Sequence, residues 1–181
     1  VDPMAVEEME KDLSHLRKIV DRFSKIGSDT PLAIANVNEI VGDCVIYFRK
    51  RIPRNVTLDY NGFTSEIVHA MLNSALFEWV VENLLKNSLD ALQGHGEISV
   101  RVWATESNVM IDVHDTGKGI AKSNWKRIFE PGFTTKTSGW GLGLSLSRRV
   151  VEEYHRGKLA VVDSVIGKGT TIRITLKRAF E

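Results

Sequence analysis

The chain has 181 residues, with Lys+Arg 24 against Asp+Glu 23 and a formal net charge of +1. That length can bury a core as one domain with a short appendage, and the balanced charge offers no general attraction to nucleic acid or an anionic membrane, so no nucleic-acid partner is expected. Cys44 is the single cysteine, which excludes a disulfide framework or cysteine-rich zinc site and suits a reducing, cytoplasmic compartment, while no apolar run approaches the roughly 18 residues of a membrane span and no signal-peptide pattern is present.

The opening Val1-Asp2-Pro3-Met4 reads as a vector-derived leader (residues 1–4) and the chain as a fragment of a longer protein. Between Val6 and Phe23 the apolar residues Val6, Met9, Leu13, Leu16, Val20 and Phe23 recur at alternating steps of three and four. Glu7, Glu8, Lys11, Asp12, Arg17 and Lys18 lie between them, so residues 5–27 form a heptad-seamed helix. Alone it would expose its seam, so it is expected to pair with a second copy, with a helix outside this chain, or with its own domain. Gly27-Ser28-Asp29-Thr30-Pro31 ends that helix, and residues 28–31 read as a hinge before a main domain of residues 32–181.

In that domain Asn38 is expected to cap a helix running to about Arg51, followed by a strand at Val56–Tyr60. A helix is predicted over Leu76–Leu92, paired strands over Glu97–Ala104 and Val109–Asp115, a helix over Leu144–Tyr154, and strands over Leu159–Val165 and Thr171–Leu176. This order implies a two-layer α/β sandwich in which helices cover one face of a mixed sheet.

Four short motifs occur in order along this domain: Asn83-Leu84-Leu85-Lys86-Asn87, Asp115-Thr116-Gly117-Lys118-Gly119, Gly139-Trp140-Gly141-Leu142-Gly143 and Gly167-Lys168-Gly169-Thr170. Asn83 and Asn87, four apart, project from one helix face, and their carboxamide oxygens suit magnesium, a hard cation that shares its ligands with phosphate and water. A pair of solvent-facing polar residues is the alternative. Asp115 ends a strand where a buried carboxylate can accept a hydrogen bond from the exocyclic amine of adenine, and Gly117 and Gly119 allow close backbone approach to the base. The alternative there is a surface turn closed by an Asx bond.

The long irregular segment Phe129–Gly139 suits a lid. Gly139, Gly141 and Gly143 run into a helix whose first N–H groups are placed to hold phosphate oxygens, although no P-loop Gly-Lys-Ser/Thr follows. Lys136 is either a point charge for the phosphates or a solvated loop lysine, and Trp140 either covers the nucleotide or anchors the closed loop. Gly167 and Gly169 read first as a hairpin turn, with any ligand role indirect.

Taken together, Asn83 and Asn87 resemble the N box of sensor histidine kinases, Asp115 to Gly119 their G1 box, Phe129 to Phe133 their F box, Gly139 to Gly143 their G2 box, and Gly167 to Thr170 their last glycine box. The resemblance runs from about Leu32 to the end and places the chain in the superfamily shared with DNA gyrase, mismatch-repair and heat-shock-chaperone ATPases. It implies an ATP sandwich fold, Mg2+ on Asn87 with Asn83 beside it, adenine on Asp115, and ATP contacts from Gly117, Gly119, Lys136, Gly139, Gly141, Leu142, Gly143 and Thr170.

The hydrolases of that superfamily carry a Glu one helical turn before the magnesium Asn. Here that position is Asn83, and a carboxamide cannot act as a general base. Glu82 and Glu78 are rotated away from the Asn87 face at about 100° per residue. The implied activity is therefore a histidine protein kinase. Its implied partners are a phosphoacceptor helix of the parent protein, in cis or trans, and indirectly a response regulator.

His15 is followed by Leu16 where the family's acceptor has an acid, so it reads as a helix-surface residue, and residues 5–27 resemble the second helix of the acceptor hairpin. The domain is expected to be cytoplasmic within a parent that can be membrane-anchored. Asp90 stands where many relatives have a phosphate-contacting Lys, which removes one expected contact. A superfamily ATPase working by dimer closure and a non-catalytic nucleotide-sensing scaffold remain the rival readings.

Overall fold

Period-two burial lays out the sheet. The computed structural model describes residues 31–62, 66–135 and 140–180. Their strands are β1 (Ala33–Asn36), β2 (Val56–Tyr60), β3 (His69–Leu72), β4 (Gly96–Ala104), β5 (Asn108–Asp115), β6 (Lys158–Val165) and β7 (Gly169–Ala179). They run in the order β1-β3-β7-β5-β4-β2, with β6 also paired to β7. Among these strands β2 lies parallel to β4, and the other pairings are antiparallel. By contacts the chain divides into residues 1–31 and 32–181. The leader-like residues 1–4, the heptad segment 5–27 with His15, and residues 28–30 lie outside the described residues.

Ile98, Val100 and Val102 on β4, Val109, Ile111 and Val113 on β5, and Ile172, Ile174 and Leu176 on β7 are buried on one face. The intervening positions are mostly polar, with Trp103 opposite Met110 as exceptions, and Arg101, Asp112 and Arg173 stand in register across three strands. Arg173 grips Asp112 through two hydrogen bonds, Nε to Oδ1 at 2.7 Å and Nη2 to Oδ2 at 2.8 Å. One dry face and one wet face are what an antiparallel sheet covered on one side requires.

The dry face is covered by α1 (Val37–Arg49), α2 (Ser74–Leu92) and α3 (Gly143–Arg149). On α2, Leu76, Phe77, Val80, Val81, Leu84, Leu85, Ser88 and Leu92 form the buried stripe, the i, i+3, i+4 pattern of a helix with one side in a core. Asn73 caps it by accepting from Leu76 N at 3.1 Å, and Gln93 in the left-handed conformation ends it.

Three local expectations change. The cap of α1 is Asn36, whose Oδ1 accepts from Glu39 N at 3.1 Å, because β1 pairs with β3 up to Asn36 and the helix starts there. Asn38 is instead a buried knot, donating to Gly62 O and Glu66 O and accepting from Val68 N at 2.9 Å. Strands β1 and β3 were not anticipated, since Ala33–Asn36 and His69–Leu72 are four residues each and poor in the β-branched and aromatic residues that mark strands. The helix expected over Leu144–Tyr154 is α-helical to Arg149 and then a π turn over Val150–Tyr154.

Candidate functional site

Strand β5 delivers Asp115 at its end, and the carboxylate is only 5% exposed. Gly117 N donates to its Oδ1 at 2.9 Å, so the Asx bond of a turn is present, but at a buried acid. The Ser88 hydroxyl and the Thr170 backbone also hydrogen-bond to the carboxylate. Burial nevertheless dominates and raises the Asp115 pKa above its usual 3.8, against the lowering by these donors and by nearby His114. A buried acceptor-only group whose protons come from fixed donors is suited to reading a ligand N–H.

The Gly-x-Gly turn after Asp115 is clamped on two sides. Lys118 N donates to Ala91 O near the end of α2 at 3.1 Å, and Gly167 N donates to Lys118 O at 2.9 Å. A Cβ on Gly117 would stand 2.6 Å from Ala91 C, and one on Gly119, at φ +73, would run into Val165 O. The need for glycine at both positions is thus met by the protein's own packing, independently of any base. Gly167 and Gly169 form the β6–β7 hairpin turn, and a Cβ on Gly169 would collide with Asp115 O. Thr170 is buried and its Oγ1 lies 2.8 Å from Ser164 Oγ, while Ile120 N donates to the same Ser164 Oγ at 2.8 Å.

Asn83 and Asn87 are both half-buried on α2. Asn83 Nδ2 donates to Ser147 Oγ of α3 at 2.8 Å. Asn87 immediately precedes Ser88, whose hydroxyl reaches Asp115, so its helical turn borders the Asp115 end of the site. Glu78 and Glu82 face the other way. Cys44 of α1 lies against Glu78 O at 3.8 Å, and its thiol is pushed up to about 12, first by burial and then by Glu82 and Glu78.

Leu142 is the N-cap residue of α3, and no side chain caps that helix start. Gly141, at φ +63, packs against the turn after Phe129: Gly132 N donates to Gly141 O at 3.1 Å, and a Cβ on Gly141 would stand 2.6 Å from Gly132 C. Phe129 is buried, and Trp140 is 49% exposed. Lys136 and Gly139 lie outside the described residues. The structure brings Asn83 of α2 against Gly143 and Ser147 of α3, and the Asp115 turn, with Gly117 and Thr170, against Ser88 and Ala91 further along α2; Gly141 meets the turn after Phe129 instead.

Sequence reasoning missed Ser88, Ser147 and the bond from Lys118 Nζ to Thr135 Oγ1 at 3.1 Å. Ser88 was open to detection, as a hydroxyl set in the apolar stripe of α2. Ser147 was not, because its partner is distant in sequence.

The donor set fits a nucleotide with magnesium. Carboxamide oxygens suit a hard cation but leave most of its coordination to phosphate and water, and no cluster of three His, Cys, Asp or Glu side chains able to hold a metal occurs among the described residues.

Residues 73–179 match the family described as histidine kinase-, DNA gyrase B- and HSP90-like ATPase. The sensor histidine kinase ZraS of Escherichia coli (strain K12) is 30% identical over 171 residues, covering 93% of this chain and 36% of that protein. The signal transduction histidine-protein kinase AtoS of the same strain is 40% identical over 102 residues, 56% of this chain and 16% of that protein. The nitrogen regulation protein NtrY of Azorhizobium caulinodans is 29% identical over 179 residues, 92% of this chain and 22% of that protein. The chain thus spans well under half the length of these curated relatives.

Among solved structures, the catalytic domain of histidine kinase ThkA superposes with a TM-score of 0.69 at 24% identity, covering 81% of this chain and 95% of that one. The mycobacterial sensor histidine kinase MprB superposes with a TM-score of 0.72 at 23% identity, covering 83% and 99%. ThkA has also been solved in complex with response regulator protein TrrA. These structural likenesses carry the fold, and the family match and the kinase relatives carry the rest: the chain belongs to the histidine kinase-, DNA gyrase B- and HSP90-like ATPases, as an ATP-binding catalytic domain of the histidine-kinase type.

Proposed function

We propose that this domain binds Mg-ATP at the junction of α2, the Asp115 turn and α3, and transfers the γ-phosphoryl to a histidine imidazole on a helix of its parent kinase, in cis or in trans. Asp115 accepts from the adenine amine, Asn87 supplies the protein oxygen to the metal, and the backbone of Gly141 to Gly143 faces the phosphates. Magnesium, when bound, neutralises charge on the β- and γ-phosphates. The imidazole nitrogen forms the new N–P bond while the bond from the γ-phosphorus to its bridging oxygen breaks, and ADP leaves with that electron pair. The domain's own contribution is positioning and charge placement, as suits a loose phosphoryl-transfer transition state. A response regulator would take the phosphoryl group later, from the histidine.

The observation that carries this reading is the direction of the acids on α2. One turn before Asn87 stands Asn83, bonded across to Ser147, while Glu78 and Glu82 lie on the Cys44 side. No carboxylate of that turn is aimed to deprotonate a water at the Asn87 face.

The test supplies γ-labelled ATP, magnesium and a separate helical hairpin bearing a histidine followed by an acid. The expected product is acid-labile phosphohistidine on the hairpin, with little phosphate release when the hairpin is omitted. Steady phosphate release at the same rate without the hairpin would contradict the transfer. Asn87→Ala should weaken Mg-dependent ATP affinity by about tenfold or more, the scale of a lost charge-assisted contact, and unchanged affinity would remove Asn87 from its role.

A further inference from the structure

We propose that Asn83 is a positioning residue for this site: its carboxamide is the post against which the first turn of α3 is set, fixing the Gly141–Gly143 backbone relative to Asn87. The inference rests on the nucleotide reading of the junction and deepens it. Asn83 Nδ2 donates to Ser147 Oγ at 2.8 Å, and Ser147 is fully buried. One turn earlier on α3, a Cβ on Gly143 would stand 2.6 Å from Asn83 Oδ1, 3.1 Å from Nδ2 and 3.2 Å from Cγ. Two residues four apart on one face of α3 therefore close on a single side chain of α2.

The chemistry of each contact explains the residue types. A buried serine hydroxyl needs a partner, and losing it leaves a desolvated polar group. The carboxamide stands where a Cβ on Gly143 would go, and Gly143 φ is not in the left-handed region, so a side chain there would have to push the carboxamide off Ser147. The α3 start has no side-chain cap of its own. Its position is taken from across the groove. Both ends of the Asn83 carboxamide lie against α3, so the metal oxygen falls to Asn87, one turn further along α2.

Mg-ATP affinity of the 181-residue protein, measured with magnesium and with chelator, separates the roles. Gly143→Ala should weaken ATP binding by about tenfold, the coupling scale of residues in contact, and to a similar extent with and without magnesium. Asn83→Ala alone should weaken ATP binding to a similar extent, and adding it to Gly143→Ala should cost little more, because both changes unseat the same contact. Asn83→Ala alone should leave the magnesium dependence in place, whereas Asn87→Ala removes it.

Additive losses in the double variant, an Asn83→Ala protein that binds ATP as tightly as the wild type, or one that loses magnesium dependence as Asn87→Ala does, overturns the inference. If Asn87→Ala keeps full magnesium dependence, the nucleotide reading fails instead. A nucleotide-free thermal-unfolding cycle of Asn83→Ala, Ser147→Ala and their double covers that case and the case where Gly143→Ala does not fold. Non-additive shifts support the post, and additive shifts overturn it.

Discussion

On the proposed reading, Asp115 is the buried carboxylate through which the site selects its base. Three donors from its own chain, Gly117 N, the Ser88 hydroxyl and the Thr170 backbone, fix its orientation, and burial keeps water from competing for it. A group held this way discriminates by what it leaves unpaired when the wrong ligand is offered. Asp115→Asn replaces an acceptor-only group with one that must also place two N–H donors. ATP affinity should fall about tenfold to a hundredfold, the range for a hydrogen bond to a charged group, with GTP affinity changing far less. The check is a pair of titrations with ATP and GTP, and an unchanged affinity ratio would remove Asp115 from base recognition. The acid itself was legible in the sequence, since it ends an alternating strand and precedes a Gly-x-Gly turn. What fixes it was only partly legible: Ser88 stood out as a polar residue in an apolar stripe, whereas the Thr170 contact depends on the β5–β7 register, in which Asp115 faces Thr170.

The helices owe their mutual placement to a few polar ties, and one of them titrates. His155, buried at the end of the π turn, donates from Nδ1 to Val150 O at 2.9 Å and accepts at Nε2 from Asn73 N at 3.0 Å. Phe77 packs edge-on against its ring. The Asn73 N–H bond to Nε2 holds the ring neutral, and burial lowers its pKa below the usual 6.5 despite the bond to Val150 O. Above pH 6.5 neither folded nor unfolded chain carries the proton, and the tie is intact. As pH falls below 6.5 the unfolded chain binds a proton that the fold resists, so stability drops until the depressed folded pKa is reached.

Asp115 works in the opposite sense. Its raised pKa means that the fold takes up a proton before the unfolded chain does, so its contribution to stability rises as pH falls from that raised value toward 3.8. The melting temperature of the wild type should therefore decline below pH 6.5 relative to that of His155→Gln. The matching slope in unfolding free energy should be at most about 1.4 kcal/mol per pH unit, one proton's worth. Parallel pH profiles of the two proteins would show that His155 does not titrate in this way. At this scale the sequence was informative for long periodic elements: α2, β4, β5 and β7 stand close to where the patterns put them. It was silent for β1 and β3, whose four-residue lengths carry no alternation to read, and their pairing is what moves the α1 cap from Asn38 to Asn36. The π turn was equally hidden, because Val150 and Val151 fit a helical stripe whether the turn closes at four residues or five.

In the molecule as a whole, elements far apart in sequence meet around α2. The Asp115 turn is clamped between Ala91 at the end of α2 and Gly167 in the β6–β7 hairpin, and α3 is tied to α2 through Asn83 and Ser147. The Asp115 turn adjoins α2 through Ser88 and Ala91, next to Asn87. Which face of α2 each of these residues takes could not be read from spacing alone. No helix among the described residues is long and apolar enough to cross a membrane. The most direct measurement is a crystal structure of the protein with magnesium and a non-hydrolysable ATP analogue. The account predicts the purine amine hydrogen-bonded to the Asp115 carboxylate, the metal on the Asn87 carboxamide oxygen, and the Asn83 carboxamide still seated between Gly143 and Ser147. A nucleotide bound away from Asp115, or a metal with no contact to α2, would contradict it.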